Sequence, residues 1–230
     1  MPAADPEKLR EYNSMKYRYS KRKRFLLFFI GLVFAGFGVA LSTRPGLGTT
    51  PISSLPYVTT FIIPWTLGMA TVGINILFLL MQLAILRRRF HWSRLGQLLT
   101  LFGFGFFIDL GMWLSSFYIP EFYPLRLLEE LLGCALLATG ISFQLLADIS
   151  FMPGDGFVRT VSEEYGFAFG TTKVCFDVSI VIAAIVVSLC WFREISGIRE
   201  GTLLAAVLVG FIIRMLQQPL RVVKKQLVKA

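Results

Sequence analysis

Histidine is almost missing from this 230-residue chain: the only one, His91, lies in a short basic stretch. Cysteine is nearly as scarce, and Cys134, Cys175 and Cys190 all sit inside apolar runs without C-x-x-C spacing. Neither a redox pair nor a zinc set is expected from such residues, and the three thiols read as small apolar packing groups. H-E-x-x-H and G-x-S-x-G are also lacking. Gly46–Thr50 is not a phosphate-binding Walker loop, because no Gly-Lys-Ser/Thr follows its glycines. An enzyme is not expected, nor is a metal or any other cofactor. Charge is sparse as well: Asp, Glu, Lys and Arg make up 16% of the chain against 55% hydrophobic residues. With a mean hydropathy of +0.67 the composition is too apolar for an ordinary soluble domain. No small-residue cleavage site follows the first apolar core, so a removable signal peptide is not expected.

What the chain does have is six apolar segments of membrane length. They cover about Phe25–Ser42, Leu67–Leu86, Leu95–Leu114, Leu125–Ala147, Val174–Trp191 and Thr202–Leu216. With their loops they use nearly the whole chain, which leaves no room for a separate soluble domain. The net charge of +9 would suggest nucleic acid in a soluble protein, but its placement points to the lipid bilayer instead. Lys21–Arg24, Arg87–Arg89 and Arg221, Lys224, Lys225 and Lys229 all flank spans on one side of the membrane. By the positive-inside rule both termini and the loop Arg87–Arg94 are cytoplasmic, and no nucleic-acid partner is expected. The loop Phe192–Glu200, balanced in sign, falls outside. Residues 1–24 form a basic arm, with Tyr12, Tyr17 and Tyr19 among cations, and could include a short surface helix. The remaining boundaries are a first membrane unit 25–117, a link 118–124, a second unit 125–218 and a basic tail 219–230.

The two membrane units repeat one another. Gly31 and Gly38 recur as Gly133 and Gly140, and Gly68 and Gly73 as Gly170 and Cys175, all at an offset of 102 residues. Gly105-Phe-Phe-Ile answers Gly210-Phe-Ile-Ile at an offset of 105. Three spans per copy is an odd number, so the second copy crosses in the opposite sense. The predicted fold is therefore all-α, with six transmembrane helices in two inverted three-helix repeats. Inverted repeats around a midplane site are the construction of many secondary transporters.

Between the first and second spans of each copy lies an unusual segment. Gly46-Leu-Gly48 with Thr49 and Thr50 precedes Pro51, and Gly154-Asp-Gly156 occupies the comparable place in the second copy. Each predicts a short or re-entrant helix, with Thr49 or Thr50 as the cap before Pro51 and Asp155 as the cap of the other. Helix starts of this kind expose unpaired N–H groups and the positive end of the dipole, which suits an anion. Gly46, Gly48, Thr49, Thr50, Gly154, Asp155 and Gly156 are thus candidate solute-binding residues. Arg159, one short-helix turn beyond Asp155, and Lys173 could add positive charge.

Several strings resemble the YczE/YyaS/YitT group of bacterial membrane proteins. They are Arg44-Pro-Gly-Leu-Gly-Thr-Thr-Pro51, Met152-Pro-Gly-Asp-Gly156, Lys173-Val-Cys-Phe-Asp177 and Gly197-Ile-Arg-Glu-Gly-Thr202. The resemblance spans roughly Phe25 to Leu220 and implies a bacterial inner-membrane protein with this duplicated helical core. It implies no particular substrate.

Four intramembrane polar positions remain. Asp109 lies deep in the third span and corresponds, at the offset of 105, to Arg214 in the sixth. An isolated charge at such depth is costly, so the two could pair near the pseudo-two-fold axis or each face its own vestibule. Asp177 corresponds to Asn75 and lies four residues from Lys173, close enough on one helix face for a local salt bridge. Asp109, Arg214, Asp177 and Asn75 are therefore candidates for an ion pair or for coupling. Glu129 and Glu130 open the fourth span, where the helix dipole favours acids and no function is required of them. Glu163 and Glu164 read as solvated.

The sequence points to a secondary transporter of a small anionic or zwitterionic solute, and a homodimer is compatible with it. A solute-binding membrane subunit of an ATP-driven complex would share this architecture, as would an assembly factor that moves nothing.

Overall fold

The computed structural model describes residues 21–87, 96–117, 121–147, 149–150, 152–167 and 169–229, with side chains running to residue 216. Residues 1–20 of the N-terminal arm and most of the Arg87–Arg94 loop lie outside the described residues, as do the side chains of the basic tail.

The described residues form eight helices and no strand. They are α1 (Lys21–Thr43), α2 (Pro51–Thr60), α3 (Leu67–Leu86), α4 (Gly96–Leu114), α5 (Tyr123–Ala147), α6 (Pro153–Tyr165), α7 (Phe169–Phe192) and α8 (Glu200–Lys229). A 3-10 turn, Ser115–Phe117, extends α4. Five helices, α1, α3, α4, α5 and α7, are long and apolar enough to cross a membrane. In α8 the described side chains stop at Leu216. Along α7, Val174, Val178, Ile182, Val186 and Leu189 form an exposed aliphatic stripe. Its three-to-four-residue spacing is that of one helix face turned to lipid.

The short helices α2 and α6 start at prolines. Pro51 and Pro153 each hold the first turn, where the missing N–H is no loss and the fixed φ is already helical. This corrects one expectation: Asp155 does not cap α6. Met152 is the cap residue, and Gly154, Asp155 and Gly156 belong to the first turn of the helix itself. The glycines of the first copy differ, because Gly46 and Gly48 stand before α2 with φ of +73° and +133°. It is Pro51 and Pro153, 102 residues apart, that hold the same place in the two short helices. Thr50 takes the cap position of α2, but its hydroxyl makes no cap hydrogen bond and donates to Ser53 Oγ instead (2.9 Å).

Helices α1 and α5 cross antiparallel at backbone contact. A Cβ on Gly31 would lie 2.7 Å from the Gly140 carbonyl oxygen, one on Gly38 would meet the Leu137 backbone, and one on Gly133 that of Leu41 and Ser42. Small residues permit this approach, and in lipid it is dispersion between close surfaces that holds such a pair. Helix α4 lies parallel to α1, with Gly103 against Leu32, Gly36 against Phe107 and Gly111 against Ala40. Leu32, Ala35, Val39, Leu67, Phe104, Ile108 and Leu137 form the core of this layer.

The helix partnerships come in matched pairs when α1–α4 are exchanged for α5–α8. The contact of α1 with α4 is matched by α5 with α8, that of α2 with α7 by α6 with α3, and that of α2 with α3 by α6 with α7. Each short helix therefore packs on the middle span of the other half. Among the described residues, only the pairing of α3 with α4 has no counterpart of similar extent.

Candidate functional site

The two short-helix starts meet. Ile52, the second residue of α2, places its Cδ1 2.7 Å from where a Cβ of Gly154 would stand. Asn75 lies beside them: its Oδ1 accepts from Gly154 N (3.1 Å), and its Nδ2 donates to Thr71 O (2.9 Å). Asn75 is about 12 Å along α3, near the middle of that helix. Further along α3, Gln82 Nε2 donates to Pro153 O (2.9 Å) and reaches Gln97 Oε1 (3.5 Å). The carboxamides of Gln82 and Gln97 flank Gly156, whose missing side chain leaves them room. Asn75, Gln82 and Gln97 are all buried, and Asn75 satisfies the Gly154 N–H, one of the groups that a helix start leaves unpaired.

Charge gathers one helix away. Lys173 Nζ lies 3.0 Å from Asp155 Oδ1 and 2.8 Å from Asp177 Oδ1, with all three side chains about 30% exposed. The lysine also stands 5.7 Å from the Phe176 ring, which packs with Phe78 and Phe157 in a three-ring cluster. The cluster carries two negative charges and one positive. Arg159 pairs with Glu163 at 2.7 Å, both about half exposed.

A second construction joins two sequence motifs far apart in the chain. Arg199 Nη1 donates to Gly46 O (3.1 Å), Gly201 N to Leu47 O (2.9 Å), and Thr49 N to Thr202 Oγ1 (3.2 Å). Thr49 and Thr43 share a hydroxyl hydrogen bond at 2.7 Å. The Arg44–Pro51 segment and the Gly197–Thr202 segment thus form a clasp. Gly48 is necessary to it on two grounds: its φ suits glycine, and any side chain would strike Thr202. Tyr57 borders the clasp, where burial pushes its phenol above the ordinary value while Arg199 and Arg44 act in the opposite sense. Gly46, Gly48, Thr49 and Thr50 therefore belong with the clasp, whereas Gly154, Asp155, Gly156, Asn75, Lys173 and Asp177 surround the meeting point.

The pairing of Asp109 with Arg214 does not form. Asp109 Oδ1 accepts from Gly68 N (2.8 Å) and its Oδ2 from Thr66 Oγ1 (2.6 Å), so the carboxylate closes the start of α3 from the neighbouring α4. The orphan Gly68 N–H and the Thr66 hydroxyl supply the partners that Arg214 was expected to provide. Arg214 is exposed on α8.

Glu130 is the residue that sequence reasoning passed over. It is fully buried, its carboxyl lies against Gly201, and neither oxygen has a hydrogen-bond partner among the described residues. Because α5 begins at Tyr123, Glu130 is beyond the first turn where the helix dipole would favour it.

The chain is similar to the uncharacterised membrane protein YczE of Bacillus subtilis (strain 168), with 26% identity over 194 residues covering 83% of this chain and 84% of the relative. No solved structure gives a significant match. The model of a family of unknown function, DUF6198, matches residues 22–218, and this multi-pass helical membrane protein belongs to that family.

Proposed function

We propose that the protein is a secondary transporter of a small solute, zwitterionic rather than simply anionic, built from two inverted three-span repeats with α8 as the sixth span. The single observation that carries this reading is the meeting of the α2 and α6 starts beside Asn75. Paired helix starts near the membrane centre, at a repeat interface, are the usual setting of a transporter site. The matched helix partnerships support the inverted repeat, and the exchange of short helices between halves gives two units that could rock about a shared site. The basic flanks support cytoplasmic termini in a bacterial inner membrane. Asp155, Lys173 and Asp177 offer both signs of charge next to backbone donors. A lone anion would meet the two carboxylates, while an amino acid-like zwitterion finds a partner for each of its ends.

The test is a thermal-shift screen of the purified full chain against small zwitterions, anions and cations, followed by flux in proteoliposomes. A zwitterion present at about a hundred times its Kd should add about 2.7 kcal/mol of stability, and Lys173→Met should abolish the shift. Counterflow of that solute supports the reading. Binding without flux moves it to a binding subunit of a larger complex. Stabilisation by cations alone overturns the substrate class.

A further inference from the structure

Glu130 lies directly beneath the clasp. It is about 10 Å into α5, has 0% exposure, and its carboxyl oxygens fill the space that a Cβ on Gly201 would take, a residue whose N–H makes one of the clasp bonds. None of the nearby cations donates to either of its oxygens, and Arg44 keeps a buried Nε without a partner of its own. From the segment after α1, Arg44 donates to Ser116 O and its field falls on Glu129; from the segment leading into α8, Arg199 donates to Gly46 O. Glu200, beside Gly201 at the start of α8, adds a second negative charge. On α5 itself Arg126 stands four residues before Glu130 but donates to neither of its oxygens, and the other neighbours are Glu129, also with an unpartnered oxygen, and the buried Cys134 thiol.

We propose that Glu130 is a proton-binding site of this protein, and that the clasp between Arg44–Pro51 and Gly197–Thr202 closes only over its neutral carboxylic acid. An ionised carboxylate buried without a cation or a donor is far costlier than its acid form, which is a small polar group. The acid lets α5 sit against Gly201. Ionisation brings an uncompensated charge next to Glu200, and hydrating it requires the segments to part. The closed clasp is therefore present at lower pH and is lost as the pH rises. The position explains why residue 201 is glycine: any side chain there would occupy the space of the carboxyl. The proposal is independent of whether the protein moves a solute.

The test uses the full chain in lipid nanodiscs and dicyclohexylcarbodiimide, which reacts with protonated carboxyls in apolar surroundings, with the modified residue located by mass spectrometry. Glu130 should be labelled at about pH 6 and at least about tenfold less at about pH 9. In a background free of the three native cysteines, Leu47→Cys should gain reactivity toward a thiol reagent between these pH values. That gain should exceed, by about tenfold, the gain measured when Glu130→Gln is also present. No labelling of Glu130 at either pH, or labelling indifferent to pH, overturns the proposal. So does an equal rise in Leu47→Cys reactivity with and without Glu130→Gln. If Glu130→Gln does not fold, the carbodiimide arm on the otherwise native chain decides.

Discussion

Gly140→Ala and Gly210→Ala are the same chemical change in two transmembrane-length helices, and the structure assigns them opposite signs. Both gain helix propensity, about 1 kcal/mol for replacing an interior glycine by alanine. At Gly210 nothing lies within 4 Å of the added methyl, so the gain stands alone. At Gly140 the methyl would lie 2.6 Å from the Gly31 carbonyl oxygen and closer still to the Ala35 backbone nitrogen. Backbone cannot turn aside, so α1 and α5 must separate by about 0.8 Å to restore ordinary contact, and a gap of that size forfeits a quarter to a half of each contact along the seam. Buried Ala35, Val39 and Leu137 lie on that seam. Overpacking of this kind costs about 1–3 kcal/mol, which outweighs the propensity gain. Gly140→Ala should thus be less stable than the native chain by about 1–2 kcal/mol, and Gly210→Ala more stable by up to about 1 kcal/mol. Reversible unfolding in mixed micelles, followed by tryptophan fluorescence, measures both. Equal stability of the two variants would refute backbone contact between α1 and α5.

Three further outcomes follow from particular contacts. Asp109→Asn should lose about 1–2 kcal/mol through its hydrogen bonds to Thr66 and Gly68, Arg214→Gln should change little, and the double variant should be additive within about 0.5 kcal/mol. A larger coupling energy from the same unfolding assay would restore the ion pair. Lys173→Met should destabilise by about 1–2 kcal/mol, reduced from the buried-pair range because all three side chains are partly solvated, and adding Asp177→Asn should recover part of the loss in thermal melts. Gly48→Ala should cost about 1–3 kcal/mol through its positive φ and the Thr202 contact, read as a fall in melting temperature that Gly46→Ala does not match in steric origin, since nothing lies within 4 Å of residue 46.

Local rules made much of this fold legible. The spacing of Gly31 with Gly38 and of Gly133 with Gly140 marks the faces that join α1 to α5, because close helix packing needs small residues at those intervals. Pro51 marks the start of α2, and the four-residue spacing of Lys173 and Asp177 puts them on one face. What could not be read depends on which elements meet. Asp109 carries no local signal that it closes the start of α3, since Thr66 and Gly68 are more than forty residues away in the chain. Asp155 has the chemistry of a cap, yet Pro153 begins the helix two residues earlier. Glu130 resembles any acid near a helix start; its isolation comes from Gly201, seventy-one residues further on. Gly201, the second glycine in Gly197-Ile-Arg-Glu-Gly-Thr202, was the available hint, because a bare backbone position often marks a close approach.

The central claim is that the starts of α2 and α6, from opposite halves of the chain, meet beside Asn75. Paired cysteines test it most directly: Ile52→Cys with Gly154→Cys, in a chain whose three native cysteines are replaced, oxidised mildly in the membrane and examined by mass spectrometry. Leu32→Cys with Gly103→Cys, across the α1–α4 contact, serves as the positive control, since a Cβ on Gly103 would meet only the Leu32 side chain. A disulfide between positions 52 and 154 is expected, since the tip of the Ile52 side chain, Cδ1, already lies 2.7 Å from where a Cβ at position 154 would stand. A control pair that crosslinks while 52 and 154 stay reduced would contradict the meeting of the two helix starts.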